Sequence, residues 1–198
     1  MREMVVQFFL YAATAALLEN LVLSRGLGIS TVLFSASSAK RIFQFGALFT
    51  FMALSSAVLA TVINPLVSAL SFRAYIRPLV FILLLTLLYY IVYFIVGKIM
   101  KSASEYVRNY LPYATFNCAL LGVLYITTIG NHTLLQAAGF AFGSGVGLTF
   151  ASLLIAEGRR RLDTERIPRT FRGLPIALLY VGLISLALFG LIGHQLPF

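Results

Sequence analysis

The chain has 198 residues, of which 60% are hydrophobic and 11% are charged. An ordinary soluble domain carries about 25% charged residues, so this composition excludes one and points to an integral membrane protein. The net charge of +9 would suggest nucleic acid in a soluble protein, but here the cations fall in short connections between apolar runs, which excludes that reading.

A spanning helix takes about 20 apolar residues. Met4–Ser24 is the first such run, weakened by Glu19 and Asn20. It continues into those residues without a small-residue cleavage pattern, and so reads as a retained helix rather than a signal peptide. Ile42–Ile63 is the second run and ends before Asn64 and Pro65. Pro78–Gly97 is the third and the cleanest. Residues 109–156 carry no Lys, Arg, Asp or Glu. That length holds two crossings, with Gly130-Asn131-His132 as the turn between them and His132 expected to be exposed. Leu174–Ile192 is the sixth.

Lys and Arg set the orientation of such a chain. The loops after helices 1, 3 and 5 hold Arg25, Lys40, Arg41, Lys98, Lys101, Arg108, Arg159, Arg160, Arg161, Arg166, Arg169 and Arg172. The opposite face holds only Arg2, Arg73 and Arg77. The twelve-cation face is therefore expected in the cytoplasm, with both termini outside.

The fold expected is all-α: one membrane domain over residues 1–198, with six transmembrane helices in two inverted three-helix repeats, about 1–97 and 98–198. Three crossings per half make the second half enter from the opposite side. Helices 1 and 4 are expected to be interrupted. Polar residues break the first run at Leu18–Ser30 and the fourth at Tyr110–Leu124, where Asn117 stands beside Cys118, the only cysteine. Discontinuous helices at matching positions of inverted halves mark a functional centre near the midplane.

Cys118 has two readings. A thiolate ligates iron–sulfur or another soft metal; a buried free cysteine also serves as a small hydrophobe. One thiol alone holds no cluster, so a metal would need ligands from another chain. Glu19 is an ionisable group in a membrane run, which makes it a functional hypothesis by default. The plainer alternative places it against the end of a half-helix. Asn20 and Asn117 either line the same polar site, as an ion path, or satisfy freed backbone. Gly139, Gly143 and Gly147 recur on one helix face and read as close helix packing, since no strand precedes them as a nucleotide loop requires.

Four segments carry a family resemblance: Glu19–Ser30 (ENLVLSRGLGIS), Tyr75–Leu83 (YIRPLVFIL), Tyr110–Val123 (YLPYATFNCALLGV) and Phe171–Gly190 (FRGLPIALLYVGLISLALFG). With them the chain resembles the RnfA/NqrE group, the membrane subunits of the Rnf and Na⁺-translocating NADH:quinone oxidoreductase complexes. The resemblance implies a non-autonomous electron-transport subunit of a bacterial or archaeal cytoplasmic membrane, coupled to Na⁺ or H⁺ movement. It implies a paralogous RnfE/NqrD-like partner beside other subunits of the complex, a [2Fe–2S] cluster shared between the pair, and no flavin on this chain.

Cys118 matches the family's second ligand position. The first has the pattern glycine, leucine, cysteine, proline, where this chain reads Gly28-Ile29-Ser30-Thr31, so Ser30 replaces the cysteine. The family's carboxylate late in the third helix has Tyr93-Phe94 in its region. These departures raise a second reading, a scaffold or ion-path subunit without a cluster. A third, a secondary transporter for a small solute, is motivated by the inverted repeats and Glu19.

Overall fold

The computed structural model describes residues 2–35, 38–69, 72–99, 104–162 and 168–192. Of the counted loop cations, Lys101 and Arg166 lie outside these residues, as do the side chains of Arg2 and Arg169.

Among the described residues every regular element is helical. The elements are α1 (Arg2–Ala13), continued by a π turn (Thr14–Leu18), α2 (Ile29–Ser35), α3 (Ala39–Ser68), α4 (Arg73–Ile99), α5 (Ser104–Thr115), α6 (Cys118–Ile129), α7 (Leu134–Leu162), a short 3-10 turn (Arg169–Phe171) and α8 (Leu174–Ile192). In lipid only internally bonded backbone is stable, which favours helices throughout.

Three helices, α3, α4 and α7, are long and apolar enough to cross a membrane. Residues 105–115 and 118–129 pass the same test together as one segment bent by 54°. The first expected span, Met4–Ser24, is not continuous: helix ends at Leu18, and turns occupy the residues that follow. The crossing expected to begin near Asn109 starts at Ser104, and α7 runs past Ala156 through Arg159–Arg161. Charged side chains reach the headgroups from a helix end, so an apolar count underestimates such a helix.

The packing fixes directions. Added Cβ atoms at Gly139, Gly143 and Gly147 would meet the backbone of Phe8, Ala12 and Ala16 respectively. Both series ascend, so α1 and α7 run parallel, touching along the glycine face. Small residues allow such backbone contact between membrane helices. In contrast, Gly46 lies against Thr149 and Gly145 against Thr50, so α3 crosses α7 antiparallel.

The two ends of the bundle are tied separately. At one end Tyr106 donates to Arg41 O at 3.2 Å, and Arg108 lies 4.8 Å over the Tyr93 ring. At the other, Asn64 Nδ2 donates to Thr128 O at 3.3 Å, and Arg77 reaches back from α4 to α3. The core between them holds Phe45, Phe49, Met52, Leu120, Leu124 and Leu148, all essentially inaccessible. Much of the outer surface is also apolar, including Leu66, Leu83, Phe94 and Leu186, as a lipid-facing surface requires.

Candidate functional site

The two interrupted segments meet inside the bundle. In the first, the π turn closes with Glu19 N–H donating to Thr14 O at 2.8 Å. Asn20 then takes over the backbone groups that the break releases. Its Oδ1 accepts from Val22 and Leu23 N–H at 3.0 and 3.1 Å. Its Nδ2 donates to Ala16 O at 2.9 Å and to Gly147 O at 3.0 Å. An asparagine offers both donors and acceptors, and here one buried amide serves both sides of the gap. Gly147 is near the middle of α7, about 20 Å from either end at 1.5 Å rise per residue. The break is therefore at mid-height.

Gly26 and Gly28 turn the chain with φ of 70° and 81°, values that L side chains rarely adopt. Helix α2 begins just beyond.

In the second break, Pro112 weakens the end of α5 because proline has no N–H to donate. Asn117 is extended and caps α6, its Oδ1 accepting from Ala119 N–H at 3.0 Å. Asparagine is a favoured residue there because its side chain satisfies an otherwise unpaired donor.

Gly28 N–H donates to Cys118 Sγ at 3.1 Å. A Cβ on Gly28 would sit 3.0 Å from Ala119 Cβ and 3.1 Å from Asn117 Oδ1. Leu27 and Leu21 fill the space beside Gly122. The two breaks thus interlock, through backbone on one side and the start of α6 on the other.

The polar groups at this joint differ in their state. Asn20 is buried and fully engaged. Asn117 is buried, and its Nδ2 has no partner among the described residues. Cys118 is a free thiol on the surface of the chain. Ser30, on α2, is exposed as well. Glu19 pairs with Arg25 at 3.1 Å, with 42% of the Glu19 side chain and 47% of the Arg25 side chain exposed.

Sequence reasoning missed His132. Expected in the open, it is half-buried, its ring 4.9 Å from that of Tyr11 and 5.9 Å from that of Phe140. Burial lowers its pKa below the usual imidazole value, opposed by the charge of Glu19. The aromatic residues at positions 11 and 140 were the available signal, but nothing in the sequence places α1 beside α7 except the glycine row.

Among the described residues no three His, Cys, Asp or Glu side chains gather as a metal site would require. One sulfur alone does not hold a cluster, so any metal at Cys118 would need ligands from another chain.

The family model described as "Rnf-Nqr subunit, membrane protein" matches residues 8–194. The chain belongs to the Rnf-Nqr family. It is 35% identical to a subunit of the Na(+)-translocating ferredoxin:NAD(+) oxidoreductase complex of Acetobacterium woodii, over 92% of this chain and 95% of that one. It is 31% identical to a subunit of the ion-translocating oxidoreductase complex of Edwardsiella ictaluri, over 94% and 96%, and 30% identical to its counterpart in Cronobacter sakazakii, with the same shares covered. The Rnf-Nqr match spans both breaks, so the residues of the interlocked joint lie within the part matched to the family.

Proposed function

We propose that the chain is a membrane subunit of an Rnf-type ion-translocating electron-transport complex, and that its interlocked breaks hold one corner of an intramembrane [2Fe–2S] cluster shared with a paralogous RnfE/NqrD-like subunit. The observation that carries this reading is the exposed Cys118 sulfur, held by Gly28 N–H at the meeting point of two broken helices. The relatives' names supply the complex and its coupling to ion movement.

In this reading the chain makes six crossings in two inverted halves. The broken pair α1–α2 corresponds to α5–α6, α3 to α7, and α4 to α8. The antiparallel crossing of α3 and α7 supports this, because equivalent helices of inverted repeats run oppositely. The end marked by Arg41, Arg108 and Arg159–Arg161 faces the cytoplasm of a bacterium or archaeon, by the excess of cations there. Both termini then lie outside.

Bound between the two subunits, the cluster would supply a one-electron relay at mid-membrane. This chain contributes Cys118 as a ligand. Gly28 N–H donates to that sulfur, and hydrogen bonds to ligand sulfurs tune a cluster's potential. Ser30 stands where a second thiolate would, and its oxygen is a harder donor than sulfur, so the partner supplies the remaining ligands. Asn20 keeps the unwound backbone satisfied at a depth where water is scarce. Glu19, Asn20 and Asn117 are the polar groups from which an ion path at this level is built.

The lone thiol favours a second reading, a scaffold or ion-path subunit without a cluster. Iron analysis and EPR of the chain purified with its paralogous partner separate the two. The first predicts bound iron that Cys118→Ser removes; the second predicts none in either protein.

A further inference from the structure

The six carboxylates of the chain are Glu3, Glu19, Glu105, Glu157, Asp163 and Glu165. None lies between residues 20 and 104, so the α3–α4 hairpin is purely cationic or neutral. Yet Arg77 is partly buried at its closed end, and its Nε is fully buried with no partner among the described residues. Its Nη2 has only long contacts with neutral acceptors, Asn64 Oδ1 at 3.5 Å and Ser68 Oγ at 3.4 Å. Among the described residues, Glu19 pairs with Arg25 and Glu157 with Arg161. Glu105 begins α5, at the far end of α4, and Glu3 is on α1, which packs on α7.

A guanidinium this enclosed needs an anion, because a buried charge without one is expensive. Arg73 stands four residues before Arg77, on the same helix face, where two like charges repel unless something bridges them. Both lie in the first two turns of α4, whose free N–H groups also favour an anion.

The surroundings identify the source. Phe72, Tyr75, Leu66 and Leu79 around this end are 71%, 82%, 75% and 60% exposed. Exposed apolar and tyrosine side chains beside arginine mark the bilayer interface. Helix α4 has 27 residues, about 40 Å at 1.5 Å each, which matches a bilayer of about 40–45 Å with its headgroups. The first turn of α4 then lies among the headgroups, and Arg77, one turn further in, reaches back toward them because helical side chains lean toward the N-terminus.

We propose that Arg73 and Arg77 form a binding site for the phosphodiester of an anionic phospholipid in the leaflet at the α3–α4 turn. Arg77 supplies the inner, partly enclosed contact and Arg73 the open one. Asn64 and Ser68 hold the Arg77 guanidinium in place from behind. The site is independent of the joint at Cys118.

The test is retention of dioleoylphosphatidylglycerol against dioleoylphosphatidylcholine by the detergent-purified full chain, read by native mass spectrometry. Each arginine should contribute about fivefold to phosphatidylglycerol affinity, the effect of one basic residue at an anionic lipid surface. R73Q/R77Q should therefore bind phosphatidylglycerol about 25-fold more weakly and no better than phosphatidylcholine, whereas R77K should retain most of the preference. Circular dichroism confirms that each variant is folded, and R73Q alone, at an exposed position, keeps the test open if R77Q is not. Equal retention of the two lipids by the unaltered chain would overturn the proposal. So would displacement by inorganic phosphate at the same concentration as lipid, or a partner subunit's carboxylate cross-linking to Arg77 in the intact complex.

Discussion

Gly28 donates its backbone N–H to Cys118 Sγ at 3.1 Å, joining positions 90 residues apart. A side chain on Gly28 would be strained at that contact. Its φ is 81°, and a Cβ there would crowd Ala119 and Asn117. Gly28→Ala should destabilise the chain by about 2 kcal/mol, from the left-handed backbone penalty together with the clash. A thermal melt in detergent measures this, and reaction of Cys118 with a maleimide should change in rate as the joint loosens.

Asn20→Ala removes four hydrogen bonds at once and leaves the buried N–H groups of Val22 and Leu23 without the amide that accepts from them. Each unsatisfied group costs about 1–3 kcal/mol. Asn20→Asp keeps the acceptor but turns an anion toward the carbonyls of Ala16 and Gly147. The expected order of melting temperature is unaltered chain, then Asn20→Ala, with Asn20→Asp no better than alanine. If Asn20→Asp melts like the unaltered chain, the donated bonds carry no weight.

The glycine row on α7 gives an internally controlled comparison. A Cβ at Gly143 meets the Ala12 backbone, whereas one at Gly182 meets nothing within 4 Å. Gly143→Ala should force α1 off α7 and cost about 1–3 kcal/mol. Gly182→Ala, in the interior of α8, should be neutral or stabilising by up to about 1 kcal/mol. Melting curves of the two variants side by side decide it.

Burial between Tyr11 and Phe140 holds the His132 pKa below its ordinary 6.5. The folded state thus binds fewer protons than the unfolded one below that value, and stability falls as pH drops. The stabilisation is complete above pH 6.5 and is lost from there down to the folded pKa. His132→Phe should remove that part of the pH dependence, which melting temperatures between pH 7.5 and 5 would show.

Much of this architecture is legible in the sequence. Asn20 and Asn117 interrupt apolar runs, and a helix in lipid breaks only where something replaces its hydrogen bonds, so both breaks can be located. Gly139, Gly143 and Gly147 announce a helix contact by their spacing, though not that α1 is the partner. The surface position of Cys118 is hidden, because a lipid-facing side of a membrane helix is as apolar as its packed side. Leu120 is buried and Phe116 is 54% exposed, with nothing in residue type to separate them. Likewise α7 outruns its apolar count, because Glu157 and then Arg159–Arg161 end that count before the helix itself ends.

The chain's role as one corner of a shared cluster rests on Cys118, and the direct measurement is the EPR spectrum and iron content of the chain co-purified with its paralogous partner. A [2Fe–2S] signal that disappears in Cys118→Ser, while the pair still assembles and Ser30→Ala keeps its iron, is the predicted result. An iron-free pair, or a signal unchanged by Cys118→Ser, would contradict it.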